Sequence, residues 1–224
     1  MARVFTKFYL ATNYLTNMLD IDVVRVLSTV FLMGLVVVVV MLGFFSKKRR
    51  DLGLVKASSQ SDAFLLNTVW QLLIFPFPLV FFLVGAIMPS WVYGTILNLS
   101  FQGGEYLQVF SVLLFLAGVI LAGWSAQVLG QFMIPPIQVL EKHELVTQGP
   151  YSRIRHPAYT SAIIMALAST LLFFNLIIFL AFVAILAIAY KRAVLEEELL
   201  ASEDGFGQDY RDYMKKTGRF LPRL

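Results

Sequence analysis

The chain has no cysteine, only two histidines, and a charged fraction of just 14% across 224 residues. Each shortage excludes something. Without thiols there is no disulfide framework, no thiolate nucleophile and no Cys-ligated zinc or iron–sulfur site, and the redox compartment is left unmarked. His143 and His156 alone remain as neutral-pH bases or imidazole ligands. Charge is missing altogether from residues 26–46, 63–104, 106–140 and 157–190. Ordinary globular domains carry about 25% charged and about 45–50% apolar residues, whereas this chain is 58% apolar with a mean hydropathy of +0.76. So little polar surface cannot enclose so much apolar chain in water, and a polytopic membrane protein is the reading that remains. The net charge of +4 is small and its carriers flank the apolar segments. That placement points to membrane orientation and anionic headgroups, not to nucleic acid.

A helix crosses the hydrocarbon core with about 20 apolar residues. The charge-free stretches predict a first span over Val26 to Phe45, a second over Phe64 to Met88 and a third over Tyr106 to Leu129. Phe75-Pro76-Phe77-Pro78 lies inside the second, where two missing donors kink or break a helix. The last stretch, Ala158 to Tyr190, is too long for one crossing. Asn175 near its centre divides it into two short helices forming a tight hairpin. The expected fold is an all-α membrane protein of about five transmembrane helices in one domain over 1–224. Its parts are an N-terminal interfacial segment at 1–25, three spans at 26–129, and a loop, hairpin and tail at 130–224.

Five spans place the termini on opposite sides. Lys47, Lys48, Arg49, Arg50 and Lys56 follow the first span; Lys142, Arg153 and Arg155 follow the third; the tail from Lys191 onward is basic again. These segments alternate onto one face, leaving Arg3, Lys7 and Arg25 for the other. The positive-inside rule then puts the C-terminus in the cytoplasm and the N-terminus outside. Residues 1–19 lack the compact apolar core of a signal peptide. Phe5, Phe8, Tyr9, Leu15 and Leu19 fit either one face of an interfacial helix or a poorly ordered terminus.

Polar chemistry is concentrated in residues 141–159 and 191–213. Pro157 suits the first turn of a helix, and His156, preceding it, is biased to an extended backbone at the mouth of that helix. The hairpin returns the chain to the same face. Glu196 and Glu197 can therefore meet Arg155, His156 and Tyr159 across one pocket, a cationic, aromatic and acidic cluster suited to a zwitterionic, nucleotide-like ligand.

The pattern His143-x-Leu145-Val146-Thr147-x-Gly149-Pro150-Tyr151-x-x-x-Arg155-His156-Pro157-x-Tyr159 is followed by a Glu-Glu pair. Then come Gly207-x-x-Tyr210-x-x-Tyr213 and Arg219-Phe220-Leu221-Pro222. Over about residues 124–222 this resembles the isoprenylcysteine carboxyl methyltransferase and phospholipid methyltransferase superfamily. The resemblance implies an integral membrane enzyme that uses S-adenosylmethionine without a Rossmann domain, on a lipid or prenylated acceptor entering from the bilayer. It makes Tyr151, Arg155, His156, Pro157, Tyr159, Glu196 and Glu197 cofactor-site residues, with Arg155 and His156 the candidate catalytic groups. Ser161 stands where the family often has glycine, and the spacing to Gly207 leaves the pair as Glu196–Glu197 or Glu197–Glu198. An arginine fork suits the cofactor's carboxylate, a glutamate its hydroxyls or amino group, and Tyr151 or Tyr159 its adenine. A carboxylate acceptor needs no base, whereas an amine must first lose a proton, for which His156 is the candidate.

Plainer roles compete with these. Arg153 and Arg155 could be orientation charges, and Glu196 to Glu198 with Lys191 and Arg192 a solvated helix end with an Arg192–Glu196 pair. His143 with Glu141 and Glu144 is a weak metal set, and no metal is expected. Phe206, Tyr210 and Tyr213 share a face that packs the tail onto the pocket or anchors it at the interface. The His-x-Leu-Val-Thr lead-in favours an isoprenylcysteine-type carboxylate acceptor. The rivals are phosphatidylethanolamine N-methylation, an NADPH-dependent sterol-reductase-like enzyme, and a non-catalytic scaffold or small transporter. The last lacks mid-bilayer ionisable residues.

Overall fold

The computed structural model describes residues 18–47, 54–57, 61–93, 97–99, 102–132, 138–140 and 144–223. Its elements in order are α1 (Ile21–Lys47), β1 (Leu54–Ala57), α2 (Ser61–Ile74), α3 (Pro76–Ile87), α4 (Pro89–Tyr93), α5 (Gly104–Leu129), β2 (Gln138–Leu140), α6 (Pro157–Phe173), α7 (Leu176–Leu200) and α8 (Gly207–Lys216). Short 3-10 turns at Gly130–Phe132 and Gly149–Ser152 join them.

Among the described residues four segments are long and apolar enough to cross a membrane: Ile21–Phe44, Leu65–Ile87, Gly104–Leu129 and Leu176–Leu200. The fifth expected span is α6, with only 17 residues. At 1.5 Å per residue it rises about 26 Å, a little less than the roughly 30 Å hydrocarbon core. Its partner in the hairpin, α7, gains length by running past the apolar stretch into Lys191–Leu200. The first helix also starts earlier than expected, at Ile21, so residues 21–25 belong to it and not to a separate interfacial segment. The part of that segment before Met18 lies outside the described residues.

The proline pair behaves as its chemistry dictates. Helix α2 ends at Ile74, Phe75 sits between helices, and Pro76 occupies the first turn of α3, where its missing N–H is harmless. Asn175 breaks the last apolar stretch. Its side chain accepts from Ile177 N at 3.0 Å and so caps α7, while Phe174 before it takes a left-handed backbone with φ 44°. The hairpin tip is closed by the 97–99 segment. Leu99 N donates to Phe174 O at 2.7 Å, Leu176 N to Leu97 O at 2.9 Å, and Asn98 Nδ2 to Phe173 O at 3.0 Å.

One difference from the all-helical expectation is a small ribbon. Strand β1 pairs antiparallel with β2, so the loops after α1 and after α5 meet at one end of the bundle. The docked C-terminal tail lies at that end too, because it bonds to residues 153–160. The basic segments that alternation places on a common face are thus drawn together by backbone pairing.

Helix faces follow burial. On α1, Val24, Phe31, Leu35 and Val38 are buried, while Val26, Met33 and Val40, seven residues apart, are exposed as a lipid-facing row requires. The centre of the bundle is aromatic. Phe31 of α1 stacks on Phe115 of α5 with centroids 3.9 Å apart, and Phe82 of α3 bridges Phe31, Phe115 and Phe173 at 5.5–6.0 Å. Gln108, fully buried on α5, accepts from Leu19 N and donates to Leu172 O, tying the entry of α1 to the end of α6. Exposed Trp91 and Tyr106 ring one end of the molecule, exposed Trp124 and Tyr190 the other, as amphipathic aromatics do at the two interfaces.

Among the described elements, α5 and α6 pack together most extensively. Gly118 permits it, since a Cβ there would stand 2.6 Å from Met165 Cγ and 3.2 Å from the backbone oxygen of Ser161. Methionine can yield but a carbonyl cannot. Gly118→Val should destabilise the protein by about 2 kcal/mol through forced helix separation. Gly43→Ala, facing open space, should be neutral or slightly stabilising. Detergent unfolding curves of the two variants check this, and equal curves would contradict the packing.

Candidate active site

The site is assembled from four pieces of chain. The Gly149–Ser152 turn leads into the Arg155-His156-Pro157 corner, which opens α6; the last two turns of α7 bring Glu196 and Glu197; α8 and the following tail close over both. His156 is the residue before the helix and Pro157 its first, as the dipeptide chemistry requires. His156 has φ −123° with ψ only 59°, short of the extended conformation expected before proline. Its amide donates to Arg219 O at 3.1 Å, and Arg155 N donates to Gly218 O at 2.8 Å. That short parallel bridge, and not proline sterics alone, fixes the corner.

Glu197 is the hub. Its side chain is 4% exposed and its two oxygens serve three partners. Arg155 Nε donates to Oε1 at 2.8 Å, His156 Nε2 lies 3.2 Å from Oε1, and Arg219 donates Nη2 to Oε2 at 2.7 Å with Nε shared between both oxygens. Burying one carboxylate alone would be prohibitive, and here a guanidinium on each side repays its desolvation. Arg155 also donates Nη1 to Met214 O at 3.1 Å and to Thr217 O. Its Nε and Nη1 are thereby committed to the protein, a different use from the free fork expected for a ligand carboxylate.

Glu196, one residue earlier, points elsewhere. It lines a cavity, accepts from Tyr159 OH at 2.8 Å and lies 3.5 Å from His156 Nδ1. Glu198 is exposed. The helix therefore separates the three glutamates by direction: one to the cavity, one to the buried cluster, one to the surface. His156, 6% exposed, has both ring nitrogens facing carboxylates and stacks on Tyr159 with centroids 5.3 Å apart. Tyr151 is buried and its carbonyl accepts from Tyr213 OH at 2.6 Å. Ser161 is buried too, with Oγ donating to Ala158 O at 2.7 Å.

Several site residues carried no distinct signal in the sequence. Arg192 is not a solvated helix-end charge. It is 2% exposed and sandwiched 5.6 Å from the Trp70 ring and 5.5 Å from the Tyr159 ring, with Nε 3.3 Å from Tyr159 OH and Nη1 on Asn67 Oδ1. Trp70 and Asn67 lie on α2, far away in sequence, and nothing local marks them. Arg219 was legible only as the start of the Arg-Phe-Leu-Pro ending. Tyr210 and Tyr213 do pack the tail onto the pocket, and both line it. His143 and Glu141 lie outside the described residues.

The cavity has a volume of about 420 Å³. Arg155, His156, Tyr159, Arg192 and Glu196 form its polar end; Leu35, Val38, Leu42, Ile74 and Met165 continue it between the spans. Leu35 also belongs to the aromatic cluster in which Phe31 stacks on Phe115 and Phe82 meets both rings edge-on.

Burial raises the phenol pKa values of Tyr151, Tyr210 and Tyr213, the last to about 12. All three are neutral hydroxyl groups near pH 7. Arg219 is held still more firmly protonated by its hydrogen bonds to Glu197.

Residues 111–202 match the model of the isoprenylcysteine carboxyl methyltransferase (ICMT) family. That segment is similar to this family, and the similarity covers less than half of the chain. It contains every candidate site residue from Tyr151 to Glu197 and ends before α8, so Tyr210, Tyr213 and Arg219 lie beyond it. The chain is 29% identical over 82 residues to a probable protein-S-isoprenylcysteine O-methyltransferase of Oryza sativa subsp. indica. It is 37% identical over 83 residues to a protein-S-isoprenylcysteine O-methyltransferase of Schizosaccharomyces pombe. The matches take in 37% of this chain, and 42% and 34% of those relatives respectively. The chain thus spans well under half the length of the relatives it matches.

Two outcomes follow from the geometry of the site. Glu197→Ala leaves Arg155 buried without its counter-charge and should cost about 3–5 kcal/mol of stability, whereas exposed Glu198→Ala should change it by less than about 0.5 kcal/mol. Equal losses in detergent unfolding would remove Glu197 from the centre. Tyr213 ionises only near pH 12 when folded, against 10.0 for its ordinary value. Its contribution is complete below pH 10 and is lost as pH rises from there through about 12. Tyr213→Phe should make the alkaline loss smaller, with Tyr151 and Tyr210 still contributing theirs, read from unfolding midpoints against pH, and an unchanged loss would contradict it.

Proposed function

We propose that the protein transfers a methyl group from S-adenosylmethionine to the carboxylate of an isoprenylcysteine-type acceptor held in the membrane. The observation that carries this reading is the cavity itself: charged and aromatic at the surface end, apolar where it runs between α1, α2 and α6. A cofactor that is polar and zwitterionic and an acceptor that is mostly hydrocarbon need opposite ends of one cavity, with the reacting atoms at the boundary.

The residues present fit the cofactor. Glu196 turns a carboxylate into the cavity to accept from hydroxyl or amino donors, and the rings of Tyr151, Phe206, Tyr210 and Tyr213 supply a wall for a heteroaromatic base. When bound, the cofactor supplies an electrophilic methyl group on a sulfonium. The chain's contribution is positioning and charge, because an in-line displacement by a carboxylate requires no covalent intermediate and no deprotonation. Tyr159 and His156 hold Glu196; Arg155 and Arg219 hold Glu197, which fixes the His156 ring. On this reading Arg155 and His156 build the cofactor wall instead of reacting.

Arg192 supplies the acceptor side. It lines the cavity at the polar–apolar boundary and is held flat by Trp70 and Tyr159. Arg155, Arg192 and Arg219 against Glu196 and Glu197 leave one positive charge in excess among these five groups, a balance that an acceptor carboxylate neutralises. An amine acceptor would need a base instead. His156, the sequence candidate, has both nitrogens turned to Glu196 and Glu197, away from any proton to be taken. The same geometry that suits a carboxylate thus disfavours phosphatidylethanolamine. The basic end of the bundle that carries the site is assigned to the cytoplasm on the positive-inside argument.

Purified protein should bind S-adenosylmethionine and S-adenosylhomocysteine and not NADPH. Binding of NADPH alone would overturn the reading. Arg192→Gln should retain cofactor affinity and lose about 100-fold in methylation of a farnesylated N-acetylcysteine. Lost cofactor affinity with an unchanged turnover number would place Arg192 on the other ligand.

A further inference from the structure

We propose that Arg219 is a positioning residue: the C-terminal tail, through Arg219, sets the orientation and ring tautomer of His156 by way of Glu197, so that the cofactor end of the cavity forms only when the tail is docked. This rests on the methyl-transfer reading for what the cavity binds, but the coupling itself rests on contacts among the tail, the corner and α7. Arg219 lies outside the ICMT-matched segment, so the family match does not assign it a role.

The docking is extensive for so short a stretch. Gly218 N donates to Arg153 O at 3.1 Å, Arg155 N to Gly218 O at 2.8 Å and His156 N to Arg219 O at 3.1 Å. Phe220 O accepts from Thr160 Oγ1 at 2.9 Å, and the carbonyls of Met214 and Thr217 accept from Arg155. These backbone groups carry no sequence preference; the Arg219 guanidinium does. It grips both oxygens of Glu197 in a fork and rests 4.9 Å over the Tyr190 ring, which sets its plane. Glu197 Oε1, oriented by that fork and by Arg155 Nε, is the oxygen that faces His156 Nε2.

A neutral imidazole offers one donor and one lone pair, yet His156 presents its nitrogens to two carboxylates. The arrangement of Glu197 therefore decides which proton His156 keeps and how it shares Glu196 with Tyr159. The charged and titratable groups facing His156 are Glu196 and Glu197 from α7, Tyr159 from α6, Arg155 beside it and, through Glu197, Arg219 from the tail. Removing Arg219 changes the only one of these that comes from the tail.

The scarcity of histidine makes this measurable. In a His143→Asn background, nitrogen-15 histidine NMR reports one ring, that of His156. Arg219→Ala, Arg219→Lys and the control Arg223→Ala, whose side chain is exposed, are compared at one neutral pH for thermal midpoint, S-adenosylhomocysteine affinity and the His156 ring shifts. Arg219→Ala should weaken binding by about 10-fold, as loss of a charge-assisted contact does. It should also move the His156 ring nitrogen shifts, which report the tautomer. Arg219→Lys should recover part of both, and Arg223→Ala should match the parent.

Binding within twofold of the parent, or weakened binding with unchanged ring shifts, would overturn the coupling. If Arg219→Ala does not fold, the lysine variant gives the same decision, since a point charge keeps the ion pair and loses the fork. Parent protein that binds no S-adenosylhomocysteine would overturn the methyl-transfer reading, and the ring shifts would still decide whether Arg219 positions His156.

Discussion

Burial of the Glu197 carboxylate is the constraint on which the site depends. A lone charge in that position would be expelled or neutralised, so the fold must bring cations to it from elsewhere in the chain. It does so from two directions, Arg155 from the corner before α6 and Arg219 from the tail, with the His156 ring beside Arg155 as a third partner. Satisfying one carboxylate therefore closes the hairpin end, fixes the entry to α6 and docks the C-terminus. The remaining polar wall follows. With Glu197 occupied, its neighbour Glu196 is turned toward Tyr159 and the cavity.

The lipid environment sets the other half of the design. Without water inside the bundle, the only economical places for charge are at its end, and the cavity begins there. The apolar arm of the cavity is lined by α1, α2, α5 and α6, and Leu35 is shared between it and the four-phenylalanine cluster. The break at Phe75 lies on that arm, and both Ile74 and Phe75 line it. On the proposed function, a prenyl chain and a nucleoside-like cofactor meet where Arg192 crosses from one environment to the other.

Much of this was legible in the order of residues, and the reasons are local. Charge-free runs announce spans because a bilayer admits nothing else; Pro157 announces a helix start because its nitrogen has no proton; Asn175 announces the turn because an apolar run of that length must reverse. The corner Arg155-His156 and the glutamates of α7 came together in the sequence reading for the same reason, since a hairpin returns to its own starting face. What sequence did not show was long-range. Arg192 looks like any charge after a span until Trp70 and Asn67 arrive from α2. Arg219 looks like a tail charge until the parallel bridge at Ile154 and Gly218 carries it to Glu197. The β1–β2 ribbon was missed because a three- or four-residue strand has no periodicity to read.

The chemistry of the bond formed tests the central claim most directly. Purified protein is incubated with methyl-tritiated S-adenosylmethionine and a farnesylated N-acetylcysteine or phosphatidylethanolamine in mixed micelles, and the product is treated with alkali. A carboxyl methyl ester hydrolyses and releases volatile tritiated methanol, while an N-methyl group is stable. The account predicts volatile counts from the prenylcysteine that disappear when its carboxylate is amidated. Alkali-stable counts in the phospholipid, with none released from the prenylcysteine, would contradict it.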